Sequence, residues 1–252
     1  MDKDGDIMAG FAKGLQVIEA FDEDHDALSI ADVGRLTGLD RATARRCLLT
    51  LVRGGYASFD GRLFELTPRV LRLGYAYMAA APLPRQVQPF LERLSEVTQE
   101  SCSAAIMDGP DIVYIARAAQ RRVMSIALNI GSRLPAYCSS MGRVLLAAME
   151  PEEARALLNR TERRALTSRT LTQVDRLMAE LERVRQEGFA LVDEELELGL
   201  RSIAVPIVTG SGRVVAALNT GAQAARASSE HLKSNVLPHL LNAQAELRRL
   251  LV

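Results

Sequence analysis

Residues 29–55 read SIADVGRLTGLDRATARRCLLTLVRGG, and this stretch decides the fold of the N-terminal part of the chain. Ser29 stands ahead of Ile30, Val33 and Leu36, an apolar set at helical spacing. Its hydroxyl suits an N-cap, and Asp32 at the third position after it suits the positive end of a helix. Thr37-Gly38 ends that short segment, and Asp40 then offers a second N-cap. A helix is expected from Arg41 to about Arg53, closed by Gly54-Gly55, because glycine takes the left-handed conformation that terminates helices. Two helices joined by a tight glycine turn are a helix-turn-helix signal.

Working outward, Phe11 to Phe21 carries Leu15, Val17, Ile18 and Phe21 in a helical stripe, followed by an acidic loop, Asp22 to Asp26. In the helix from Arg41, the residues Ala44, Cys47, Leu48 and Leu51 fall at i, i+3, i+4 and i+7, so one face is built for a core. Ala42, Arg46, Leu49 and Arg53 point the other way, with Thr43, Arg45 and Thr50 on the flanks. After it, Tyr56–Phe59 and Arg62–Leu66 are β-prone runs around Asp60-Gly61, a hairpin turn pair. A hairpin directly after a helix-turn-helix makes a winged helix, with Arg62 at its tip.

Charge separates along the chain although the total is balanced at 31 basic and 31 acidic residues. Residues 1–26 carry eight acids against Lys3 and Lys13, an unlikely surface for a polyanion. Residues 35–72 carry eight arginines and no lysine against Asp40, Asp60 and Glu65, a balance of +5. Arginine's forked donors match phosphate and the guanine edge. Arg41, Ala42, Thr43, Arg45 and Arg46, with Arg53 and Arg62, are therefore the candidates for reading double-stranded promoter DNA. An arginine cluster alone is also compatible with an ordinary solvated face.

From Pro68 a further helical pattern runs until Pro82 and Pro84. The expected organisation is a flexible acidic tail over 1–9, a winged helix-turn-helix domain over 10–67, a linker helix over 68–84 and a second domain over 85–252. That domain should open with a helix from Arg85 to Thr98. Strand-like runs follow at Cys102–Met107, Ile112–Arg117 and Val123–Leu128, then at Phe189–Val192, Ile203–Val208 and Val214–Asn219. Helices are expected at Ser140–Ala148, Pro151–Leu158, Thr172–Glu187 and Ser228–Leu250. The short connections favour antiparallel pairing and an α+β class.

Composition excludes several classes. At 252 residues, 48% hydrophobic and 25% charged, with mean hydropathy near zero, the chain is that of a globular protein. No run reaches the roughly 18 apolar residues of a membrane span. The acidic N-terminus is wrong for a signal peptide, so a cytoplasmic, nucleoid-associated protein is expected. Cys47, Cys102 and Cys138 form neither a disulfide framework nor a CxxC motif. The three histidines, His25, His231 and His239, have no i, i+4 partner for a metal, and no GxSxG or SxxK motif supports a nucleophile. Neither a cofactor, a metal nor a catalytic site is expected.

Two pairs of segments resemble a known family. KGLQVIEAF (13–21) with LDRATARRCLLTL (39–51) resembles the DNA-binding domain of the isocitrate-lyase-regulator (IclR) family. GSRLPAYCSSMGRVLLA (131–147) with DEELELGLRSIAVP (193–206) resembles its effector domain, in the branch of protocatechuate, β-ketoadipate and 4-hydroxybenzoate regulators. The resemblance covers the chain after residue 9. It implies a winged helix followed by a GAF-like effector domain, homodimers or homotetramers, and control of aromatic-acid catabolism.

A helix N-terminus offers free N–H groups, so Ser139, Ser140, Met141 and Gly142 form a candidate carboxylate cradle, where the resemblance also places the effector. Ser139 or Ser140 could instead simply cap the helix. Arg133 and Arg201 are candidate partners for a carboxylate, or else structural salt bridges. Met107, Ile126, Leu134, Leu200 and Ile203 are candidate pocket walls whose default is ordinary core. Asp193, Ser202 and Asn219 complete the set. The acidic run Asp193, Glu194, Glu195, Glu197 is expected to be a solvated loop or an internal partner for arginine. Two readings follow: a small-carboxylate-responsive transcription regulator, or a GAF-like signalling or enzymatic domain whose winged helix serves protein interaction. An exposed arginine face favours the first.

Overall fold

Capping chemistry shapes the first of two units, 1–80 and 81–252, into which the chain divides. The computed structural model describes residues 7–22, 24–120 and 128–251. The first unit contains helices Ala9–Glu19 (α1), Ile30–Thr37 (α2) and Arg41–Gly54 (α3) and strands Ala27–Leu28 (β1), Ala57–Phe59 (β2) and Phe64–Leu66 (β3). Ser29 and Asp32 form a reciprocal capping box on α2, and Gly38, at φ 71°, ends it. Asp40 caps α3 by accepting from the Thr43 amide at 2.9 Å, and Gly55, at φ 76°, closes it. Val17, Leu28, Val33, Ala44, Leu48 and Phe64 form the core of this unit. The strands pair in the order β1-β3-β2, and Asp60 accepts from the amides of Arg62 and Leu63 to fix the wing turn. Strand β1 was not expected, since two residues show no alternation.

A 3-10 turn, Pro68–Val70, leads into Leu71–Ala80 (α4), and Pro82–Thr98 (α5) follows. The prolines expected to end the linker at 84 instead open α5, because proline's missing N–H costs nothing in a first helical turn. The unit boundary accordingly falls after Ala80 and not after Pro84.

The second unit is built on a six-stranded antiparallel sheet. Its strands are Ser101–Asp108 (β4), Asp111–Ala118 (β5), Arg133–Pro135 (β6), Ala190–Asp193 (β7), Leu200–Val208 (β8) and Val214–Gln223 (β9), in the order β6-β5-β4-β9-β8-β7. Ser140–Ala147 (α6), Pro151–Arg160 (α7) and Val174–Glu187 (α8) contribute to the core on one face, with Ala105, Ile112, Leu146, Leu158, Leu181 and Ala217. On the other face α5 meets the C-terminal helices through Val87, Leu91, Val205, Leu218, Leu240 and Leu247. The expected C-terminal helix is divided into Ser229–His231 (α9), a π turn over Leu232–Val236 and Leu237–Leu250 (α10). Pro238, which cannot donate, sits in the first turn of α10. Of the strand expected over Val123–Leu128, residues 123–127, including Ile126, lie outside the described residues, and Leu128 is in no strand.

Candidate functional site

Helix α3 buries Ala44, Leu48 and Leu51, which turns Arg41, Ala42, Arg45, Arg46 and Arg53 outward. Arg62 is exposed in the wing turn. Among the described residues none of these arginines forms an ion pair, so their donors, apart from the Arg46 Nη2 that reaches the Thr43 hydroxyl at 3.3 Å, stay available to a polyanion. Thr43 is the exception on this helix. It is 6% exposed, and its hydroxyl donates to Asp40 at 2.7 Å, so it serves the cap and not the outer face. The Thr43 amide and hydroxyl together hold the Asp40 carboxyl below its ordinary range.

In the second unit a pocket lies between the start of α6 and the sheet. Its floor is polar. Arg117, Ser103 and Asn219 occupy one rung across β5, β4 and β9, and the Arg117 Nη1 donates to the Ser103 hydroxyl at 3.0 Å. A neighbouring rung supplies Ser101, Gly221 and Ser202. Burial lowers the pKa of the Arg117 guanidinium, a penalty that a nearby anion reverses. Three residues that line this pocket carry a buried atom with no hydrogen-bond partner among the described residues: Arg117 Nε, Ser140 Oγ and Asn219 Oδ1. An unsatisfied buried polar atom costs about 1–3 kcal/mol, so three around one cavity single it out as the candidate ligand site.

Arg117 reaches the pocket through a bulge. Ala104 pairs with Ala116 and Ala105 with Tyr114, which leaves Ile115 unpaired. The extra residue puts Tyr114 and Arg117 on the same face although they are three apart. Burial pushes the Tyr114 hydroxyl and the Cys138 thiol up to about 12, so both are neutral. At the opposite wall Ser139 caps α6 by accepting from the Gly142 amide at 3.2 Å, which leaves the Ser140 hydroxyl free. First-turn amides of a helix have no intrahelical acceptor and favour an anion. Leu128, Leu134, Met141, Val192, Leu196 and Leu200 supply apolar walls.

Of the residues singled out from the sequence, Leu134, Ser139, Ser140, Met141, Leu200, Ser202 and Asn219 come together here. Gly142 does not line the cavity; it lets α6 approach the 3-10 turn Ala136–Cys138, where an added Cβ would overlap the Ala136 backbone. Asp193, Arg201 and Ile203 are corrections, since strand alternation turns them from the pocket that their neighbours Val192, Leu200 and Ser202 line. Arg201 donates to Asp193 at 2.7 Å and to the Ala224 and Ala227 carbonyls, and Ile203 joins the other core. Arg133 is exposed and paired with Asp108 and Asp111, and Met107 packs at the edge of the core. Ile126 lies outside the described residues. Ser101, Ser103, Tyr114, Arg117, Leu128, Val192, Leu196 and Gly221 were not anticipated; only the lone arginine in an apolar strand, Arg117, carried a signal in the sequence.

The acidic run is internal partnering: Glu195 grips Arg143, Glu194 pairs with Arg169 and Asp193 with Arg201. Among the described residues no His, Cys, Asp and Glu side chains gather as metal ligands, and no helix is long and apolar enough to cross a membrane.

Two family models match the chain: the IclR helix-turn-helix domain over residues 11–61, and the bacterial transcriptional regulator IclR C-terminal domain over residues 75–248. The chain belongs to the IclR family. It is 47% identical over 245 residues to the Pca regulon regulatory protein of Pseudomonas putida, covering 97% of this chain and 84% of that one. It is 38% identical to the p-hydroxybenzoate hydroxylase transcriptional activator of Acinetobacter baylyi, covering 97% and 92%. Among solved structures it resembles the inducer-binding domain of a double mutant of the PobR transcription factor from Acinetobacter, in complex with 3-hydroxybenzoic acid. That match has a TM-score of 0.65 and 35% identity and covers 68% of this chain and 100% of that one. This IclR-family chain is thus a transcriptional regulator with a helix-turn-helix DNA-binding domain.

Proposed function

We propose that the chain regulates genes of aromatic-acid catabolism, and that its effector is a small aromatic acid bound in the pocket between α6 and the sheet. The observation that carries this reading is the convergence of Arg117 Nε, Ser140 Oγ and Asn219 Oδ1, all buried and unsatisfied, in one apolar-walled cavity. A carboxylate accepts from Arg117 and Ser140, and the leucine walls move apart to seat the ring, since the cavity as it stands is about 30 Å³. The kinship with regulators named for the pca and p-hydroxybenzoate systems agrees with this chemistry.

DNA is read by α3 through Arg41, Arg45 and Arg46, flanked by Ala42 and Arg53, with Arg62 of the wing on the backbone. The protein acts as a homodimer or homotetramer in the cytoplasm, at the nucleoid. One recognition helix contacts few bases, and pairing doubles the readout. The exposed Leu71, Leu73, Tyr75 and Tyr77 of α4 support pairing, since they leave apolar surface uncovered. Effector binding shifts the population of conformers that differ in affinity for the operator, by as much as the effector's own affinity differs between them.

The test is a thermal-shift screen of protocatechuate, 4-hydroxybenzoate and β-ketoadipate, followed by gel-shift titration of promoter DNA with and without the acid that raises the melting temperature. An aromatic acid that stabilises the protein and alters DNA affinity supports the reading. Stabilisation by none of the three refutes it.

A further inference from the structure

We propose that Arg143 is a positioning residue for the effector pocket: its ion pair with Glu195 pins the 194–199 loop to the start of α6, so that two walls of the pocket form one unit. The proposal deepens the reading of the pocket given above and rests on its location.

Arg143 is 1% exposed, the largest fully buried side chain, yet it does not line the pocket. Its fork meets both oxygens of Glu195, at 2.7 Å from Nη1 and 2.6 Å from Nη2. Its Nε donates to the Tyr137 carbonyl at 3.1 Å. Glu195 also accepts from the Leu171 amide at 2.9 Å, and the Thr167 and Thr170 hydroxyls donate to the carbonyls of Glu194 and Glu195. The next carboxylate, Glu180, lies 3.8 Å from Arg143 and is itself held by Arg183.

Each end of this pair is one step from the cavity. Tyr137 leads directly into Cys138–Met141, and Leu196 follows Glu195; these residues line the pocket. Burying two charges costs desolvation that their attraction repays only in part, so such a pair adds little to stability compared with apolar residues of similar size. What apolar residues lack is direction. A bidentate arginine–carboxylate fork fixes distance and orientation together, and a binding site depends on the groups that lock its walls. The pair therefore sets where Ser140 and Leu196 stand relative to each other.

The test uses the full-length chain with Arg143→Met/Glu195→Leu as a double variant and Arg143→Lys as a single one that keeps the charge paired but loses the fork. Three quantities are read: melting, amide exchange of residues 139–142 and 194–199, and calorimetric affinity for protocatechuate, 4-hydroxybenzoate and β-ketoadipate. The double variant should keep a cooperative melt, yet both segments should exchange about tenfold faster while β4 and β9 stay as protected as before. Acid affinity should fall about tenfold, because the supporting shell has loosened. Arg143→Lys should shift the same segments to a smaller degree, because the charge stays paired while the fork and the Tyr137 contact are lost, and it carries the test if the double variant does not fold. Unchanged exchange in both segments overturns the proposal, as does loosened exchange with full acid affinity. If the wild type binds none of the acids, the reading of the ligand fails separately, and exchange alone decides whether Arg143 positions the walls.

Discussion

Arg117 and Asn219 flank Ser103 on a single rung of three neighbouring strands, and each brings a buried polar atom without a partner to the same pocket. One is a donor and the other an acceptor, so the rung is complementary to a ligand with an anionic end and a separate hydroxyl.

On the proposed reading of the pocket, Asn219 accepts from the ring hydroxyl of the effector. 4-Hydroxybenzoate should bind more tightly than benzoate by about 1 kcal/mol, the worth of one hydrogen bond. In Asn219→Ala the two acids should bind equally well. Calorimetric titration of both acids against both proteins checks this, and a preference that survives in the variant removes Asn219 from the contact.

Ser139 and Ser140 are adjacent but have separable roles. Ser139 caps α6, so Ser139→Ala should destabilise the free protein by about 1 kcal/mol, read as a lower melting temperature. Ser140 finds no partner among the described residues, so Ser140→Ala should keep or raise the melting temperature and weaken acid binding by about 1–2 kcal/mol. The reverse pattern in melting and titration would reassign the two hydroxyls.

On α3, Arg46 is exposed and touches only the Thr43 hydroxyl, at 3.3 Å, among the described residues. Arg46→Ala should therefore weaken operator binding by about 1–3 kcal/mol while shifting stability by less than about 0.5 kcal/mol. Gel-shift titration and a melting curve on the same preparation test it; unchanged DNA affinity would take Arg46 off the reading face.

Local signals made the first unit legible. Ser29, Asp40, Gly38 and Gly55 act within a few residues of where they stand, and the structure uses them as caps and stops. The pocket was only half legible, because its walls come from strands distant in sequence. The start of α6 could be read from its serines, and Leu200, Ser202 and Asn219 from the segments that carry them. Arg201 and Ile203 were assigned to the pocket with their neighbours, because a linear motif does not show which parity of β8 faces α6. Arg117 was missed for a related reason: the bulge at Ile115 resets the alternation, and nothing in residues 111–118 marks an unpaired residue before its partner strand is known.

The most direct test of the account is the affinity of Arg117→Met for the acid that binds the wild type. Arg117 carries its charge partly out of water, so removing it should not lower the melting temperature of the free protein. It should weaken acid binding by about 2 kcal/mol or more, roughly thirtyfold, and abolish the effect of the acid on DNA affinity. A variant that binds the acid as tightly as the wild type and still responds on DNA would contradict the claim that this pocket is the effector site.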